Sequence, residues 1–385
     1  LTRPGTAEEA TMPSQRAISA DSHIVEPPNC YVDFIDPKYR DIAPRIEHHQ
    51  GRDHYVVHGM KRSVPLAFID GAGMKPSERQ KIVPTKTFAD VRRGAYDPAA
   101  RAADMDRDGI AGEVIYASLG MVLYAHPDPA YRDACMRAYN CWLEGFCAGL
   151  PGRLFGLAQT AVTSVDAAIE DFRRAKEQGF VGMMMAGDPV HEDYDHPDYD
   201  ALWECAVDLD LPICFHILTA KRGNMEMVFK AERGHALNAF MGIIRAIQDI
   251  VGLFTLGGVF ERHPKLKLVC AEADAGWLPH YMYRMDHACY TAADDGILKG
   301  LSKLPSEYIK QNVWATFQDD WVAFRTIDLV DHKRLLWAND FPHTDSTWPR
   351  SQALLAEHAA ALTDQQRHDI LRGNVTELFG LPPVQ

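Results

Sequence analysis

No stretch of this chain approaches the ~18 uninterrupted apolar residues that a membrane-spanning helix needs, so a transmembrane protein is excluded. Positive charge is also short. Lys and Arg total 40 against 53 Asp and Glu, a formal net charge of −13, and such a chain repels phosphate backbones. Neither nucleic acid nor a membrane is therefore an expected partner. No Cys-x-x-Cys pair occurs. The eight cysteines, at 30, 135, 141, 147, 205, 214, 270 and 289, are scattered, most of them in apolar runs such as LPICFHI and LKLVCAE. They read as buried thiols of a reducing, cytoplasmic compartment and not as a disulfide framework. With 46% hydrophobic and 24% charged residues, the composition excludes disorder. Residues 1–15 lack the apolar core of a signal peptide and read as a polar leader before a single domain over 16–385.

What is present is an alternation. Eight β-rich runs occur at 16–23, 111–120, 153–162, 180–187, 211–217, 266–274, 312–318 and 334–342. Helical stretches separate most of them. The 164–179 segment has apolar residues at helical spacing, a Ser164 cap and a Gly179 stop. Parallel neighbours require such crossovers, and eight units predict closure into a (β/α)8 barrel. An open doubly wound sheet would announce itself with a Gly-rich turn after the first strand, but DSHIVEPP contains no glycine. The long segment 24–110 reads as an insertion at the barrel mouth, with a hairpin expected over 53–65. It is expected to cover the site, with Arg92 or Arg93 as a candidate clamp for a substrate carboxylate.

Barrel enzymes carry their chemistry at the C-terminal strand ends. The first run ends in Asp21 and His23, the fifth in His216, the sixth in Glu272 and Asp274, and the eighth in Asp340, with His343 just beyond. Asp21 and His23 stand two apart, so in a strand they share a face. With 17 histidines present, His216 alone would be an ordinary structural residue, and a lone Asp an ordinary cap. Acids and imidazoles gathered at the ends of several strands instead suit a divalent cation.

Five pieces carry a family resemblance: ADSHIVEPP at 20–28, LPICFH at 211–216, LGGVFERHPKLKLVCAEADAGWLPHYMYRMD at 256–286, WANDFPHTDSTWP at 337–349 and GNVTELFGL at 373–381. The chain resembles the amidohydrolase-related proteins, which include aminocarboxymuconate semialdehyde decarboxylase and the resorcylate-type decarboxylases. The resemblance implies a distorted (β/α)8 barrel, and it puts Asp21, His23, His216 and Asp340 around a divalent metal. Zinc is the expected ion, with manganese or iron as alternatives. The pattern departs from the family in two places. Asp21-x-His23 replaces the His-x-His or Glu-x-Ala pair, and Glu272 stands nearest the place of a catalytic His. Asp340, Glu272 and His343 are the candidate catalytic residues, while Glu26, Glu272 and His343 could serve a second ion. The leading reading is a hydrolase or non-oxidative decarboxylase of a small carboxylated or amide-bearing metabolite. The alternatives are a dinuclear iron or manganese monooxygenase and an inactive structural subunit. A homo- or hetero-oligomer with a related subunit is expected.

Overall fold

The computed structural model describes residues 16–189, 191–219, 234–291 and 300–384. The polar leader and residues 220–233 lie outside them. Strand β1 (Ala17–His23) is buried at every position and leads into the long connection before the next barrel strand. That connection carries an antiparallel sheet of β2 (Arg45–His49), β3 (Arg52–Val56) and β4 (Val64–Pro65). The barrel resumes with β5 (Ile110–Tyr116), β6 (Leu154–Gln159), β7 (Gly182–Met185), β8 (Ile213–His216), β9 (Leu268–Ala271), β10 (Val313–Phe317) and β11 (Leu335–Trp337). Seven barrel strands fall within the predicted runs, and β5 begins one residue before its run. All are buried throughout and pair in parallel in the order β1-β5-β6-β7-β8-β9-β10-β11.

The seam closes just beyond β11. Asp340 N–H donates to the Asp21 carbonyl at 3.1 Å, and His23 N–H to the Phe341 carbonyl at 2.6 Å. This is the expected (β/α)8 barrel. Helices Pro129–Ala148, Val165–Glu177, Asp200–Asp208, Ala236–Leu256, Leu278–Thr291 and Pro305–Asn312 lie between the strands. Ser164 caps the second of these by accepting from Ala167 N–H, as its position in sequence predicts. Among the described residues no helix is long and apolar enough to cross a membrane.

The expected 53–65 hairpin is the β3–β4 pair, and β2 enlarges it to three strands. The connection is tied to both ends of the seam. The fully buried Arg101 donates to the His23 carbonyl at 2.8 Å, to the Gly94 carbonyl at 3.1 Å and to Glu113 Oε2 at 2.6 Å. Gly71 and Ala72 N–H both donate to the Pro342 carbonyl at 3.0 Å. Arg92 and Arg93 are engaged locally, with Asp104 and Asp97 respectively, and Arg92 also lies over the Trp348 ring. Their side chains are 36% and 73% exposed.

Candidate metal centre

A register shift in β1 builds the first half of the site. Ser19 pairs with Glu113 but Ser22 with Ile115, so three steps on β1 match two on β5. The bulge this creates re-aims the residues around it. Asp21 and His23 both turn into the barrel, with Asp21 Oδ1 3.3 Å from His23 Nε2. The other acids arrive on strained backbone. Glu272, just after β9, has φ 57°, and Asp340, after β11, has φ 54°. Left-handed non-glycine residues cost of order 1–3 kcal/mol each and gather where function requires the geometry.

These groups converge on one point. His23 Nε2 lies 3.3 Å from Asp21 Oδ1, 3.3 Å from Asp340 Oδ1, 3.3 Å from His216 Nε2 and 3.9 Å from Glu272 Oε2. His216 Nε2 is also 2.8 Å from Glu272 Oε2. A tetrahedral ion with bonds of ~2.1 Å holds its donors about 3.4 Å apart, close to the 3.3 Å from His23 Nε2 to each of Asp21, Asp340 and His216. His23 donates through Nδ1 to the Ala117 carbonyl at 2.9 Å, so its neutral ring turns a lone pair toward the carboxylates. A lone pair facing carboxylate oxygens is repulsive unless a cation or a proton sits among them.

The electrostatics agree. Burial raises the pKa of the Asp21, Glu272 and Asp340 carboxyls, with the Asp340 charge adding to the rise at Glu272 and the Asp21 charge to that at Asp340. Burial lowers His23 far below its ordinary value and His216 to about 4. His343 is lowered for the same reason. Among the described residues, Asp21 Oδ1 and Asp340 Oδ2 are buried with no hydrogen-bond partner, and the buried Glu272 Oε2 and Asp340 Oδ1 face only imidazole nitrogens. Buried carboxylate oxygens without donors are costly. A divalent cation beside His23 Nε2 would relieve this cost, so the donor set fits a metal.

The remaining expected residues separate into two kinds. His343 and Glu272 stand at the cluster. His343 Nδ1 is 2.9 Å from Asp340 Oδ1, its ring stacks on His23 at 4.0 Å, and its Nε2 lies 2.9 Å from Ser118 Oγ. Their side chains are 11% and 14% exposed, whereas Asp21, His23, His216 and Asp340 are wholly enclosed. Glu26, expected to serve a second ion, is not brought to the cluster. Its carboxylate accepts from the backbone N–H groups of Ser118, Leu119 and Gly120 at 3.1, 2.9 and 2.8 Å. Burial pushes its pKa up to about 7 against the pull of those amides.

Two groups of donors can be drawn, Asp21–His23–His216 and His23–Glu272–Asp340–His343. They share the one free nitrogen of His23, with Asp21 and His216 in one group and Glu272, Asp340 and His343 in the other. Two contributors had no sequence signal. Thr316 of β10 accepts from Glu272 N–H at 2.8 Å and donates to Asp21 Oδ2 at 3.0 Å. Ser118 reaches His343. Isolated hydroxyls form no pattern.

A closed barrel with acids and imidazoles gathered at its C-terminal mouth defines a class, the metal-dependent barrel enzymes. Within that class the chain belongs to the amidohydrolase family, whose pattern it matches over residues 40–381. It is similar to Decarboxylase orsB of Emericella nidulans, 25% identical over 275 residues that span 68% of this chain and 81% of that protein. The fold is shared with a solved amidohydrolase from Mycobacterium avium subsp. paratuberculosis, at TM-score 0.77 and 19% identity, covering 96% of this chain and 99% of the other. It is also shared with 5-carboxyvanillate decarboxylase from Novosphingobium aromaticivorans, solved with manganese and 4-hydroxy-3-methoxy-5-nitrobenzoic acid. There the TM-score is 0.67 at 18% identity, covering 96% and 97% of the two chains.

Proposed function

We propose that this protein is a metal-dependent non-oxidative decarboxylase of a small aromatic carboxylic acid. Asp21, His23, His216 and Asp340 would hold one divalent ion. The observation that carries the reading is the set of buried carboxylate oxygens without donors around His23 Nε2. The decarboxylases among its relatives favour carbon–carbon cleavage over amide hydrolysis. The carboxylate-rich donors, together with the manganese of one relative, favour manganese over the expected zinc. A bound ion would supply Lewis acidity toward a substrate oxygen.

The chain's own residues would handle the proton. The bond from ring carbon to carboxylate breaks, carbon dioxide leaves, and the electron pair left on carbon takes up a proton. Glu272 and His343 are the titratable groups of the cluster that remain open toward the mouth, so one of them delivers it. Glu272 is the one nearest the place of the histidine absent after the sixth strand. The test is to incubate manganese-loaded protein with a panel of hydroxylated benzoic acids and the matching amides. Carbon dioxide release from an acid supports the reading. Amide cleavage with no release from any acid moves the assignment to a hydrolase.

A further inference from the structure

We propose that Glu26 is a positioning residue whose carboxylate braces the 117–120 turn, and that this turn orients His23 and His343 at the metal site.

Glu26 lies three residues beyond His23, on the way out of β1, and is fully buried. Ser118, Leu119 and Gly120 follow β5. Three successive N–H groups on one carboxylate form the kind of concavity that proteins use to hold anions. Here the anion is the protein's own, brought from 92–94 residues away in the chain. The turn is closely packed at Gly120. A Cβ on Gly120 would come within 2.7 Å of Gln159 Oε1 and 3.1 Å of the Tyr31 hydroxyl.

Two contacts leave this turn toward the cluster. The Ala117 carbonyl accepts from His23 Nδ1 at 2.9 Å, which fixes the tautomer and aims Nε2 at the acids. The Ser118 hydroxyl meets His343 Nε2 at 2.9 Å. With a carboxylate beside Nδ1, the neutral His343 ring carries its proton there and accepts at Nε2 from Ser118. The two rings stack at 4.0 Å, so a shift of the turn moves both. Groups that orient metal-binding histidines are commonly worth 10- to 100-fold in metal affinity.

The inference rests on the reading that the cluster holds a metal, and the experiment separates the two. The full chain, stripped of metal, is titrated with Co(II) and followed by its visible spectrum. Glu26→Gln presents one acceptor where two oxygens now take three donors. Its expected Co(II) affinity is about 10- to 100-fold weaker, with one equivalent still bound and an altered spectrum. Ser118→Ala leaves the Glu26 contacts untouched, so it keeps the proposal testable if Glu26→Gln does not fold. In metal-free protein labelled with ¹⁵N-histidine, and assigned with His343→Gln, it is expected to shift the His343 ring signals toward a mixture of tautomers. Parental affinity and spectrum in Glu26→Gln overturn the brace. So do parental His343 signals in Ser118→Ala. A drop from two bound ions to one in Glu26→Gln also overturns it, by making Glu26 a ligand. A parent protein that takes up no Co(II) contradicts the metal reading itself, and the Ser118→Ala signals then still decide whether the turn orients His343.

Discussion

His216 and Asp340 approach His23 Nε2 from different strands, and each brings its donor atom on a buried, preformed backbone. His216→Ala and Asp340→Asn are therefore expected to remove the bound metal while the barrel stays folded. Elemental analysis and a thermal melt check this; full metal content in either variant contradicts its role as ligand. Asparagine is the better probe at 340 because it tolerates the left-handed backbone there. Asp340→Ala should lose a further ~1–2 kcal/mol of stability from the same φ of 54°. Glu272→Gln should retain the metal yet lose most turnover, and near-normal turnover would remove Glu272 from the chemistry. The sequence disclosed Asp21, His23, His216, Glu272, Asp340 and His343 because each ends or follows a buried apolar run. It did not disclose the task of Glu26. An acid near the mouth looks the same in sequence whether it meets a metal or three amides from a turn more than ninety residues away.

At the scale of elements, strands that are buried on both faces read clearly as apolar runs, and all eight barrel strands were legible for that reason. Strand β2 was not. Its sequence, RIEHH, is mostly exposed and carries no apolar alternation. Its turn to β3 is Gln50–Gly51 with φ of 51° and 83°, so Gln fills a place where Asn or Asp is the usual signal. The closing GNVTELFGL piece has a structural task. Asn374 donates to the carbonyls of His332 and Leu335 at 2.7 and 2.9 Å, tying helix Asn374–Phe379 to the start of β11. Asn374→Ala should cost roughly 1–3 kcal/mol in denaturant unfolding, with metal content unchanged. Loss of metal at unchanged stability would place Asn374 in the wrong role. The connection after β1 is pinned to the turn after β11 through Gly71, Ala72 and Pro342, close to His343. In a complex with a substrate analogue, at least one residue of 24–110 should lie within ~4 Å of the ligand. If none does, the insertion serves packing alone.

For the whole molecule, the barrel core is independent of the ion, so metal-free protein should be folded. Metal should add stability by mass action, about 2.7 kcal/mol at a free concentration 100 times its Kd. The central claim is that two enclosed carboxylates, Asp21 and Asp340, form one site for one ion with His23 and His216. The most direct measurement is the identity and number of metals in protein purified without added metal and then saturated with Mn(II). One equivalent per chain, lost in His216→Ala and Asp340→Asn, is the predicted result. Two equivalents per chain, or none at saturating Mn(II), would contradict it.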